Sequence, residues 1–246
     1  MAVEYIGASA IEANSAAITV AVPTGYAEGD FLLLATLCTA AATMSTPSGW
    51  TSVGSYASGG KRQFFYKFAG ASEASVALSD SGAANFGVMF CFRGVDTTNP
   101  INTTATGSNG IGCQYNTDYS LPALTTTVDG CMVLFHSGTG ITTPAPTPTA
   151  QTFTTYWLSI TSNGNLSDTA NMLGRAAAVS AYYSVGFYRG TQSTAGSTGN
   201  PAVRTPITGG SDGEGGDMNV IYSTYAIALA PAPVTATRNP FFGRMF

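Results

Sequence analysis

Short runs rich in β-branched and aromatic residues, separated by Gly, Pro, Asn and Ser, recur along the whole 246-residue chain, and this punctuation restricts the fold more than any other feature. Strand-length runs at such spacing point to an antiparallel sandwich or barrel rather than to alternating βα units. The runs are 16–22, 31–38, 50–56, 62–68, 74–79, 86–93, 119–125, 130–136, 152–160, 175–188 (two strands) and 219–229. Alternation is clearest in Ile18–Val22 and Val220–Ile227, which are expected to be half-buried. Phe31–Leu37 and Val88–Phe92 are more continuously apolar, the pattern of strands covered on both faces. The expectation is an all-β, antiparallel, jelly-roll-like sandwich, a single domain over residues 1–230, with strands 31–38, 86–93, 130–136 and 219–229 central. Residues 170–181, with Ala, Met and Leu broken by Gly174, are expected to form one helical turn at most.

Composition narrows the function. Charged residues make up only 9% of the chain, against roughly 25% in an average soluble domain. The surface is therefore expected to be polar through Ser, Thr, Asn and backbone amides. With a net charge of −4 and only two lysines, Lys61 and Lys67, no polycationic face can track phosphates, so nucleic-acid binding is not expected. No apolar run approaches the roughly 18 residues that span a bilayer, and residues 1–22 lack the basic and apolar regions of a signal peptide. Of the four cysteines, Cys38, Cys91 and Cys131 sit in apolar runs and read as buried thiols, with a Cys38–Cys91 disulfide left open because 31–38 and 86–93 could be neighbours.

Three stretches read as long loops: 103–118, 138–150 and the glycine-rich 190–217. The C-terminal tail, 231–246, follows a Pro-Ala-Pro stop and carries Phe241, Phe242, Met245 and Phe246 beside Arg238 and Arg244. It is expected to attach to a neighbouring subunit or another protein, with the aromatics as anchors and the arginines at the rim; folding back onto its own domain is the alternative. An internal echo joins the two halves. Pro23 and Pro122 each stand seven residues before an Asp, Asp30 and Asp129, that introduces an apolar run. Each half then offers a Trp, Trp50 or Trp157, and a Tyr/Phe-rich strand. Two related halves would leave this echo, and so would convergent strand-and-turn composition.

Four motifs follow one another in the first half: Pro23-x-Gly25-x-x-x-Gly29-Asp30-Phe31-Leu32-Leu33, Pro47-Ser48-Gly49-Trp50-Thr51, Phe65-Tyr66-Lys67 with Glu73, and Phe92-Arg93-Gly94-Val95-Asp96 with Pro100. In this order they resemble a family of β-sandwich proteins encoded by bacteriophages and prophages, over residues 3–102 and, in the second half, only at Asp129-Gly130 and the final strand. The resemblance implies a module of the virion surface and supplies no catalytic residues. Each motif also has a plain scaffold reading, as a turn leading into a strand.

Chemistry is sparse. His136, the only histidine, ends an apolar run, and no Gly-x-Ser-x-Gly elbow accompanies it, so a capped strand-end histidine is expected and no enzyme. The best hard-ligand cluster is Asp212, Glu214 and Asp217, a weak Ca²⁺ candidate that matches no standard loop and reads more simply as a solvated one; no metal or other cofactor is expected. The expected function is a structural protein of the virion, made in the host cytoplasm: a capsid decoration or head-fibre protein, or a tail-surface component. Its partners would be further copies of itself, by analogy a trimer, and other virion proteins. The alternative is a carbohydrate- or receptor-binding module that meets host glycans by stacking on Trp50, Trp157, Tyr182 and Tyr183. Inward-facing aromatics would favour the scaffold and a solvent-facing row would favour binding.

Overall fold

A computed structural model describes residues 2–14, 16–38, 43–57, 61–79, 85–109, 118–141, 159–178, 182–204 and 220–234. Within them every regular element is a strand: β1 (Glu4–Ala8), β2 (Glu12–Asn14), β3 (Ile18–Val20), β4 (Phe31–Cys38), β5 (Thr51–Ala57), β6 (Lys61–Phe68), β7 (Val76–Leu78), β8 (Asn85–Arg93), β9 (Ile101–Asn109), β10 (Asp118–Ser120), β11 (Thr125–Thr126), β12 (Cys131–Ile141), β13 (Ser159–Ser162), β14 (Ser167–Ala178), β15 (Tyr182–Gln192), β16 (Gly196–Ser197), β17 (Ala202–Arg204) and β18 (Val220–Leu229). All the pairings are antiparallel.

The first large sheet has the order β1-β8-β4-β6-β5, with β2 also on β8, and the second the order β14-β15-β12-β18-β9. Read from the other edge, the second is β9-β18-β12-β15-β14. In each half the opening strand pairs with the closing one, the closing strand pairs with the strand that follows the aspartate, and that strand pairs with one arm of a hairpin. The two halves therefore share one connectivity, and Asp30 and Asp129 each stand just before corresponding strands, β4 from Phe31 and β12 from Cys131. The chain forms an antiparallel sandwich as expected. Each large sheet, however, comes entirely from one half, 4–93 or 101–229, whereas a jelly roll over the whole chain would feed both sheets from both halves.

Period-two alternation places the core. Phe31, Leu33, Ala35 and Leu37 of β4 with Phe86, Val88, Phe90 and Phe92 of β8 face the second sheet, where they meet Met132, Leu134, Phe187, Tyr225, Ile227 and Leu229. The opposite face of β4, Leu32, Leu34 and Cys38, packs under the β3–β7 pair through Ile18, Val20 and Leu78. In the second sheet Cys131, Val133, Phe135 and Tyr188 pack under Leu121, Leu124 and Val203 beside the small strands β10, β11 and β17. Four layers result, and both large sheets are covered on both faces. That is why β4 is buried along its whole length, and why the four strands expected to be central are interior to their sheets. At the interface Phe64 stacks on Tyr225 with ring centroids 4.5 Å apart, and Phe90 meets Phe187 at 4.8 Å. Gly54 in β5 is needed there, because a Cβ would collide with the Tyr225 hydroxyl.

Residues 170–178 form part of β14, within the expectation of at most one helical turn there: ladder bonds to β15, with two bulges, outweigh the helical preference of Ala, Met and Leu. Three expectations are corrected. The stretch 103–118 is not all loop, since β9 pairs with β18 and its Thr- and Asn-rich sequence is that of a polar edge strand. The stretches 138–150 and 190–217 likewise contain the end of β12, the end of β15 and β16 and β17. His136 lies in the middle of β12, paired with Phe187 and Tyr225, and not at a strand end. Strands β4 and β8 are neighbours, but Cys38 lies opposite Asn85 and Cys91 opposite Leu32, at opposite ends of the ladder, and neither forms a disulfide.

Candidate functional site

The four motifs of the first half, dispersed over residues 23–100, converge at one end of the first sheet. Gly29 takes a left-handed φ of 86° to turn the chain into β4, and Asp30 receives a bidentate pair of bonds from Arg93 at the end of β8, Nε to Oδ1 at 2.8 Å and Nη2 to Oδ2 at 2.7 Å. The backbone amide of Ala27 donates to the same carboxylate at 2.8 Å. Desolvation pushes the Asp30 carboxyl up, but the bonds from Arg93 and Ala27 outweigh it and hold its pKa below the usual value. Nearby, Lys67 pairs with Glu73 at 2.8 Å and lies 6.0 Å from the centroid of the Trp50 ring, while the Glu73 amide donates to the Tyr26 hydroxyl. Each motif thus holds another in place, and the half-buried Trp50 packs on the outer core of the first half.

A broad concavity lies beside this network, where the halves join. The connection leaving β8 and the segment leaving β18 pin each other: Val95 bridges Pro231, Asp96 N donates to Ala230 O at 2.9 Å, Ala232 N to Gly94 O at 2.8 Å and Ala230 N to Pro100 O at 2.9 Å. The far wall is the turn before β12, held by two reciprocal bonds between Asn102 and Thr127, at 2.7 and 2.9 Å, and by Asp129 Oδ1 accepting from the Ala195 amide at 2.7 Å. Between them opens a groove of about 790 Å³ lined by Asp96, Val128, Asp129, Pro231, Pro233 and Val234 among others. Nothing in the composition flagged this groove, because its walls come from turns far apart in sequence. The Asp129 turn was the one signal available.

The residues singled out from the sequence are dispersed. Trp50 is turned toward the scaffold, not set in a solvent-facing row. Tyr182 and Tyr183 lie at the start of β15, opposite Ala178 and Ala177. Trp157, the acidic trio Asp212, Glu214 and Asp217, and the attachment residues Arg238, Phe241, Phe242, Arg244, Met245 and Phe246 lie outside the described residues. His136 is buried between the sheets beside Phe64 and Phe187, at ring distances of 5.7 and 4.7 Å, and its Nδ1 has no hydrogen-bond partner. Desolvation, with the nearby Arg62 charge, holds its pKa well below the ordinary histidine value, so it stays neutral. Burial and the neighbouring Asp30 push the Cys91 thiol up to about 12, and burial beside Asp129 pushes Cys131 up to about 11, which leaves neither as a thiolate nucleophile. Among the described residues no three His, Cys, Asp or Glu side chains gather as a metal site, and no helix is long and apolar enough to cross a membrane. No protein-family model, curated protein or solved structure matches the chain.

Proposed function

We propose that this chain is a non-enzymatic structural protein of a bacteriophage virion surface, a capsid decoration or head-fibre protein or a tail-surface component. In this reading it is made in the host cytoplasm, assembles with copies of itself as a trimer, and attaches to a neighbouring subunit or to the particle through residues 231–246. The observation that carries the reading is the convergence of the four motifs behind the family resemblance. The Asp30–Arg93 pair joins the first to the fourth, Lys67 over Trp50 joins the third to the second, and the Tyr26–Glu73 bond joins the first to the third. The four motifs thus act as one mutually supporting unit, which supports reading them together as a scaffold and not as separate turns. The packing of Trp50 against the outer core favours a structural role for that ring over glycan stacking. The test is immunogold labelling of particles from the phage or induced prophage that carries the gene, together with a variant lacking residues 238–246. Labelled particles are expected for the full chain and none for the truncated one, with the melting temperature little changed. Unlabelled particles with the full chain would overturn the proposal.

A further inference from the structure

We propose that the groove at the junction of the halves is the seat for residues 238–246 of a second copy of this chain. The inference rests on the reading above, in which that segment is the attachment element, and adds the surface that receives it. The groove, about 790 Å³ in volume, is open and can take large apolar side chains of that segment while its backbone and arginines stay at the rim. Among the described residues Val128 and Val234 are the exposed large hydrophobic side chains, 41% and 82% exposed, and both border it. Two carboxylates stand beside them. Asp96 accepts from the Thr98 amide and Asp129 from that of Ala195, whereas the ion pairs among the described residues, Lys67–Glu73 and Arg93–Asp30, lie elsewhere. The groove is therefore apolar and acidic. The segment Arg238-Asn239-Pro240-Phe241-Phe242-Gly243-Arg244-Met245-Phe246 is its complement, with four large apolar side chains, two arginines and no acid.

The exposure of the chain where it leaves the groove favours a second copy over the chain's own groove. Pro231 and Pro233 stiffen the departing segment, and Pro233 and Val234 are exposed along the groove. The chain's own departing segment, Pro231 to Val234, already forms one wall of the groove, so the space it borders is left to a segment from another copy. Each copy carries one groove and one segment, so the contact is head-to-tail, and such contacts close into rings, a trimer among them.

The full chain carrying Val128→Cys and Phe242→Cys is treated with a short bis-maleimide linker, against the two single-cysteine variants and the parent as background for the native cysteines. Copies joined to one another only when both new cysteines are present are the expected result. A link confined to one chain, or none above background, overturns the proposal. In parallel Val128→Glu, at a position exposed enough to leave the fold intact by circular dichroism, is expected to weaken self-association by roughly tenfold or more in light scattering. Unchanged association would equally overturn it. Particle labelling separates this failure from that of the underlying reading: labelled particles without the cross-link sink only the groove, and cross-linked copies absent from particles sink the virion role.

Discussion

The two halves repeat one connectivity with different chemistry at the same end of the fold. In the first, the aspartate before the long buried strand is closed by an arginine at the end of the last strand, Asp30 by Arg93. In the second, the register of β12 and β18 pairs Met132 with Leu229 as Phe31 pairs with Phe92, so Ala230 occupies the place of Arg93, and Asp129 takes a backbone amide instead. The ion pair is therefore not what specifies the fold. The strand order survives without it, carried by alternating apolar faces and turns, and the half that lacks the clamp is the one whose corner opens into the groove.

The largest loss of stability is expected at the shared core. Phe90→Ala leaves Phe187 of the other half facing a void and is expected to cost about 3–5 kcal/mol. Because both sheets rely on that layer, near-UV circular dichroism and calorimetry should show both halves melting in one lowered transition. A half that still melted at the parental temperature would mean that the halves are independent. The next effect sharpens the asymmetry. Asp30→Ala removes a buried acceptor of a charge-assisted bond and is expected to cost about 2 kcal/mol, whereas Asp129→Ala, on an exposed turn, should cost less than half as much by urea denaturation. Because the folded Asp30 pKa is depressed, its contribution is present above the ordinary carboxylate value of ~3.9 and is lost as pH falls through the folded value.

A smaller effect concerns His136, which belongs to the second half but points into the common layer. Its folded pKa is depressed, so between ~6.5 and that value the unfolded chain binds the extra proton and stability declines as pH falls. His136→Phe is expected to flatten this decline between pH 7 and 5 and to raise the melting temperature by a few degrees, since an apolar ring of similar shape leaves no orphaned nitrogen. An unchanged pH profile would refute the assignment.

How far the sequence could be read depends on where the determining contacts lie. Strands β4 and β8 were legible because a strand buried on both faces is apolar with little interruption, and β18 through the alternation of Val220–Ile227. The strand β9 was not, because its Ile101-Asn-Thr-Thr-Ala-Thr-Gly-Ser-Asn109 run is polar as an outer edge can be, and only its partner β18 makes it a strand. The strand β14 was obscured by local helical preference, which the ladder to β15 overrides. The groove was invisible because it joins turns at 94–100, 127–130 and 230–234, which nothing local relates.

Because β1 pairs with β8, the amino-terminal sheet closes on itself within residues 4–93. During synthesis it can complete every strand pairing while the rest of the polypeptide is still in the ribosome. At that moment Phe31, Leu33, Phe64, Phe90 and Phe92 form a bare apolar plane with no cover. The later-made half then serves the earlier one as a shield, and the hazard for the nascent chain is the interval before that shield arrives, when two unfinished chains could meet face to face.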